Sequence, residues 1–139
     1  MTHLIDDQML GGLLRGGLPP QPGVPVVTTG YFYVRLCQAV LASTEAAGVL
    51  SGPFAALPTE LRRRAVRSLL ELPDGIGLVS LRELAPVIGQ LRARHSLNIL
   101  GMEVLASAVT LDAEVFLSAP SPRLEEALRQ ESRSVHVVS

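Results

Sequence analysis

Short apolar runs alternate along this chain with segments in which apolar residues recur every three or four positions. The short runs predict buried strands, and the longer period predicts amphipathic helices. The predicted strands are residues 3–6, 24–28, 76–79, 115–118 and 135–138. Strands separated by helices favour a parallel sheet with crossover helices on both faces. The pattern therefore predicts one α/β domain over residues 1–139, a three-layer α/β/α sandwich with a mainly parallel five-stranded sheet.

Three details of the predicted helices and loops are specific enough to test. Pro86 falls near the middle of the helix predicted from residue 81 to about 94, where its ring predicts a kink or a break. Residues 48–53 predict a loop. The helix that follows this loop is expected to turn its apolar side chains inward and its arginines outward. The inward set is Leu61, Ala65, Leu69 and Leu70, and the outward set is Arg62, Arg63, Arg64 and Arg67.

The composition indicates a protein with more apolar surface than one small domain buries. Hydrophobic residues make up 47% of the 139 residues, and the mean hydropathy is +0.34. No apolar run approaches the length of a membrane span, and the N-terminus lacks the basic and apolar segments of a signal peptide. We therefore expect a cytoplasmic protein with no membrane partner. The excess apolar surface predicts a homodimer.

Charge and cysteine content exclude some classes of function. The net charge is −1, and all twelve basic residues are arginine, so the chain as a whole has no electrostatic attraction for nucleic acid. Cys37 is the one cysteine, which excludes an intrachain disulfide and a cysteine-based zinc cluster. Its apolar helical surroundings predict that it is a small buried hydrophobic residue.

The segment with the most chemistry is Leu4-Ile5-Asp6-Asp7-Gln8-Met9-Leu10, an apolar run that ends in two adjacent carboxylates. At the carboxyl end of a parallel strand, Asp6 would lie where open α/β sheets bind their ligands. Two carboxylates there suit a hard divalent cation, which takes oxygen ligands. Asp6 has two interpretations, a metal ligand or the N-cap of the following helix. For Asp7, in the first helical turn, a capping role is favoured.

This segment resembles the start of the PIN domain, most closely that of the small ribonuclease toxins of bacterial toxin–antitoxin pairs. In that family an apolar strand ends in a metal-binding aspartate, followed by two small polar residues and a leucine. Residues 104–115 are similar to the family's alanine-rich late helix and the fourth strand after it, and the strand around Val135 is similar to its closing strand. The resemblance implies RNA cleavage that depends on Mg²⁺ or Mn²⁺ held by three or four carboxylates. It also implies an antitoxin-like protein partner.

The family's acidic positions are only partly matched. Asp6 fits the first acid, with Asp7 beside it. The second acid is expected early in the helix after the second strand, where residues 31–36 contain no carboxylate and Arg35 brings the opposite charge. The third is expected near residue 102, and Glu103 is adjacent to it. The fourth is expected just after the fourth strand, where residues 117–120 contain none.

Several of these residues have two interpretations. Glu103 is a metal ligand or the polar member of a buried helix, kept there by an arginine partner. Arg35 binds an RNA phosphate or neutralises Asp6 in a bidentate pair, and the pair is the more economical interpretation. The basic patch that contains Arg62 and Arg63 either binds along a nucleic-acid backbone or is a solvent-exposed helix face.

The sequence thus predicts a PIN-like domain with an incomplete acid cluster, Asp6, Asp7 and Glu103. We expect weak binding of Mg²⁺ or Mn²⁺, little or no nuclease activity, and a retained role in binding protein or nucleic acid. One alternative is an active endoribonuclease toxin in which Asp6, Glu103 and Glu45 supply the acids. A second alternative is a structural homodimer component without a ligand site.

Overall fold

A computed structural model describes residues 1–42 and 48–138. Its strands are β1 (His3–Ile5), β2 (Val26–Thr28), β3 (Ile76–Leu78), β4 (Glu114–Leu117) and β5 (Val135–Val137). Its helices are α1 (Asp7–Leu14), α2 (Gly30–Leu41), α3 (Gly52–Ala55), α4 (Thr59–Leu70), α5 (Leu81–Leu91), α6 (Ile99–Leu111) and α7 (Pro122–Gln130).

The strands form one parallel sheet in the order β3-β2-β1-β4-β5. Successive side chains of a strand point to opposite faces of the sheet. In β1, Leu4 therefore packs with residues of α5, α6 and α7, whereas Ile5 packs with residues of α1, α2, α3 and α4. Two apolar cores thus lie on the two sides of the sheet, which confirms the predicted three-layer α/β/α class.

The central position of β1 determines which loops meet at the carboxyl edge of the sheet. All three residues of β1 are buried, and Ile5 is in register with Phe116 of β4. Because β1 and β4 are parallel neighbours, the residues that follow each strand lie side by side. The segment after β1 begins with Asp6, and the segment after β4 begins with Ser118.

The expectation of a loop over residues 48–53 is wrong, and of the two effects expected of Pro86 the break does not occur. The predicted loop over residues 48–53 contains the start of the short helix α3, which buries Phe54. The proline at position 86 does not split α5, which runs unbroken from Leu81 to Leu91. Pro86 lies on the exposed side of that helix, where water can hydrate the carbonyl that loses its hydrogen bond.

The inward face of α4 is narrower than predicted. Ala65 and Leu69 are buried as expected, but Leu61 is 49% exposed and Leu70 is 60% exposed. Leu70 is rotated by about 100° from Leu69 around the helix axis, so the two cannot share one buried contact. Cys37 is only half-buried in α2.

None of the helices in the described residues combines the length and apolar character that crossing a membrane requires.

Candidate functional site

A cleft of about 270 Å³ opens at the carboxyl edge of the sheet, beside the ends of β1 and β4. Its charged lining residues are Asp6, Asp7 and Arg35. Most of the remaining wall is apolar and includes Phe32, Val49, Leu50, Leu100, Leu117 and Leu124. The structure therefore brings three of the predicted site residues together at the edge where the sequence placed them.

Asp6 is the N-cap of α1 and also links β1 to β4. Its Oδ1 accepts hydrogen bonds from the backbone N–H of Met9 at 3.0 Å and from the Ser118 hydroxyl at 2.9 Å. Its Oδ2 accepts a hydrogen bond from the backbone N–H of Ser118 at 2.7 Å. The residue is 7% exposed. Each oxygen of this buried carboxylate thus accepts at least one hydrogen bond from a protein donor.

Asp7 lies beside Asp6 but faces α2. Its Oδ1 accepts a hydrogen bond from the backbone N–H of Gln8 at 2.8 Å, and its Oδ2 lies 3.4 Å from Nε of Arg35. The expected pair between Asp6 and Arg35 is therefore wrong, because Ser118 holds the Asp6 carboxylate and Arg35 pairs with Asp7. Asp6 is the N-cap of α1, since its side chain accepts the N–H of Met9. Asp7, in the first turn, accepts the N–H of Gln8, which agrees with the capping role favoured for it.

Burial makes the ionised form of the Asp7 carboxylate unfavourable at this position. Its Oδ2 is buried and has no hydrogen-bond partner among the described residues. Burial raises the pKa of Asp7 above its ordinary value, and the opposing effect of Arg35 is smaller. Relative to the protonated form, the charged form of Asp7 is therefore less favoured in the folded protein than in the unfolded chain.

Glu103 does not line the cleft and caps a different helix, α2. It is 0% exposed, and its Oε1 and Oε2 accept hydrogen bonds from the backbone N–H groups of Tyr31 at 2.9 Å and Gly30 at 3.2 Å. These are unpaired donors at the start of α2, where the helix dipole also favours a negative charge. A Cβ at Gly30 would lie 3.2 Å from Oε2, so glycine leaves room for this approach. The expected arginine partner of Glu103 is wrong, since its partners are backbone amides.

Mg²⁺ and Mn²⁺ take a shell of several oxygen ligands. Within residues 1–42 and 48–138, no group of three or more histidine, cysteine, aspartate or glutamate side chains is arranged to hold a metal ion. Glu45, the third acid of the toxin alternative, lies outside the described residues.

The basic candidates Arg62 and Arg63 both form contacts within the fold. Arg62 donates hydrogen bonds to the carbonyl oxygens of Ala55 at 2.9 Å and Leu57 at 3.3 Å. Arg63 pairs with Glu60 at 3.2 Å. Both arginines lie on α4 and neither lines the cleft.

Ser118 is the site residue that the sequence did not reveal. It supplies two of the three hydrogen bonds to Asp6, by its backbone N–H and its hydroxyl. Its place directly after β4 was a usable signal, but only with the knowledge that β4 lies beside β1. The resemblance expects an acid at this place, and a serine donor stands there instead.

No protein-family model matches the chain, and no curated protein is significantly similar to it.

We expect Asp7→Asn to stabilise the protein at neutral pH by about 1 kcal/mol, because it removes a buried carboxylate with an unsatisfied oxygen. The sign follows from the raised pKa of Asp7. A raised folded-state pKa makes the wild type relatively more stable below the unfolded pKa and less stable as the pH rises through the folded pKa. The advantage of the variant should therefore shrink as the pH is lowered, as measured by urea unfolding across a pH series. A variant that is equally or less stable at neutral pH would contradict this account of Asp7.

Proposed function

We propose that this protein is a non-nucleolytic PIN-like domain that acts in the cytoplasm by binding a partner protein at the cleft beside β1 and β4. One observation carries the proposal. All four oxygens of Asp6 and Glu103 accept hydrogen bonds from protein donors, so these carboxylates hold the fold together. A metal-dependent ribonuclease needs the same oxygens for its cation.

The composition of the cleft favours a protein partner over RNA. Its aliphatic and aromatic wall suits the apolar side chains of another protein, as in most binding sites with a few polar groups. Its charged groups, Asp6, Asp7 and Arg35, carry a net charge of −1 when ionised (two carboxylates and one guanidinium), which does not attract phosphate. The resemblance suggests an antitoxin-like protein as the class of partner.

Self-association is a second proposed role, supported by the exposed valines near the sheet edge. Val137 of the edge strand β5 is 40% exposed, and Val138, directly after it, is 41% exposed. An edge strand with exposed β-branched residues is a template for pairing with another chain. Sedimentation velocity over a range of concentrations should show a dimer, and a monomer at every concentration would rule out this role.

The nuclease alternative is tested with structured RNA and Mg²⁺ or Mn²⁺. We expect no cleavage above the buffer control and no heat of metal binding by calorimetry. Asp6→Asn keeps the N-cap of α1 and is the matched variant. Cleavage by the wild type that disappears in Asp6→Asn would overturn the proposal.

The PIN-like part is tested by adding acids where the resemblance expects them. The double variant Arg35→Glu/Ser118→Asp places two more carboxylates at the cleft, beside Asp6 and Asp7. We expect it to bind Mn²⁺ measurably, whereas the neutral control Arg35→Gln/Ser118→Asn should not. A folded double variant that binds no Mn²⁺ would contradict the PIN-like assignment.

The partner-binding part is tested by blocking the cleft with a surface change. Val49 lines the cleft and is 69% exposed, so Val49→Glu should fold normally. Leu18 is 87% exposed and does not line the cleft, which makes Leu18→Glu the matched control. A cognate protein should be captured by the wild type and Leu18→Glu but not by Val49→Glu. Equal capture by all three would place the binding surface elsewhere.

A further inference from the structure

One face of α4 forms a shallow groove of about 420 Å³ that lies outside the cleft. Its lining residues recur at intervals of three, one, three, one and three positions, which places them on one side of a helix. They are Thr59, Arg62, Arg63, Val66, Arg67 and Leu70, and we call this set the α4 stripe. None of these residues lines the cleft at the carboxyl edge of the sheet.

The α4 stripe combines positive charge with exposed aliphatic surface. Three of its six residues are arginines, and none is acidic. Arg62 is held in place by two backbone carbonyls and Arg63 by Glu60, whereas Arg67 forms no ion pair with any described residue. At the end of the stripe, Leu70 is 60% exposed. The stripe therefore has two arginines held by the fold, one arginine without an ion-pair partner, and aliphatic surface beside them.

This arrangement favours a carboxylate-bearing protein segment over RNA. Single-stranded nucleic acid is held by a basic groove together with aromatic rings on which the bases stack, and the α4 stripe contains no aromatic residue. Its apolar members, Val66 and Leu70, are aliphatic and suit leucine-like side chains. Arg63 already pairs with Glu60 of the same helix, whereas Arg67 pairs with no described carboxylate, so its charge is available to a carboxylate of the partner.

The helical spacing of the stripe also determines the shape of the occupant. Side chains at intervals of three and four positions form ridges, and these ridges pack into the grooves of a second helix. A helix of 12 residues is about 18 Å long, enough for about three turns of a partner helix. We propose that the α4 stripe binds an acidic amphipathic helix of another protein, with leucines on Val66 and Leu70 and carboxylates on the arginines. This proposal does not depend on the cleft or on the absence of nuclease activity.

The probe is a fluorescently labelled two-heptad peptide with leucine at positions a and d and glutamate at e and g. Its anisotropy is measured with the full chain at low and at high salt. We expect Arg67→Glu to weaken binding by about tenfold and Leu70→Ser to weaken it at both salt concentrations, because the charge contribution is screened and the apolar one is not. Arg82 is an exposed arginine on α5, so Arg82→Glu is the control and should bind within about twofold of the wild type.

Three results would overturn the proposal. The first is an absence of peptide binding by the folded wild type. The second is equal weakening by Arg67→Glu and Arg82→Glu, which would show that only the overall charge matters. The third is displacement of the peptide by single-stranded RNA or by anionic lipid vesicles that bind more tightly than the peptide. Circular dichroism of Arg67→Glu and Leu70→Ser should show the helix content of the wild type, because both substitutions are at exposed positions.

Discussion

Replacing Glu103 by alanine is expected to lower the free energy of unfolding by about 4 kcal/mol, as measured by urea denaturation. The substitution leaves a cavity in α6, where Glu103 is 0% exposed. It also leaves the half-buried backbone N–H groups of Gly30 and Tyr31 without their side-chain acceptor. The loss should appear as a shift of the unfolding midpoint with little change in slope.

Two further variants separate the causes of this loss. Glu103→Gln keeps the volume and one acceptor oxygen, so we expect about half of the destabilisation. Glu126→Ala removes an exposed glutamate from α7 and should change the stability by about 0.5 kcal/mol or less. If Glu103→Ala is as stable as the Glu126 control, the carboxylate does not hold α2 against α6.

Replacing Asp6 by alanine is expected to cost about 3 kcal/mol, because three hydrogen bonds to its carboxylate disappear. One of these bonds caps α1, and the other two connect the end of β1 to the residue after β4. The unfolding midpoint in urea and the thermal midpoint should both fall. This is the second largest effect that we expect from a single substitution.

A double-mutant cycle tests whether Asp6 and Ser118 act together. Ser118→Ala removes only the hydroxyl bond and should cost about 1 kcal/mol, and the cost should vanish when Asp6 is already alanine. Additive effects would contradict the link between the two strands. A metal-binding role predicts a different result, namely that Asp6→Ala removes RNA cleavage and leaves the stability nearly unchanged.

The class of fold was predictable because its signals are local. A strand buried on both faces requires an unbroken apolar run, and Leu4-Ile5 and Val26-Val27 each supply one. The helix after β2 was predictable from its apolar period and from Thr29, whose side chain caps α2. The short helix α3 was missed because four residues are too few for a periodic pattern.

The candidate site was predictable in place but not in its contacts. Asp6 and Asp7 were expected at the carboxyl edge, and both line the cleft there. Their partners were wrongly assigned, since Arg35 pairs with Asp7 and Ser118 binds Asp6. Adjacent residues at the start of a helix point in directions about 100° apart, so Asp6 and Asp7 meet different partners.

The sequence by itself determined the alternation of strands and helices, the carboxylates at the end of β1 and the lack of a complete acid cluster at the expected positions. These features depend on the identity and spacing of nearby residues. Only the tertiary structure decided that the Asp6 and Glu103 carboxylates accept hydrogen bonds from backbone and hydroxyl donors. Apart from the N–H of Met9, three residues from Asp6, those donors belong to segments 112 and about 72 residues away along the chain. Contacts over such separations depend on strand order and helix packing, which no local pattern of side chains encodes.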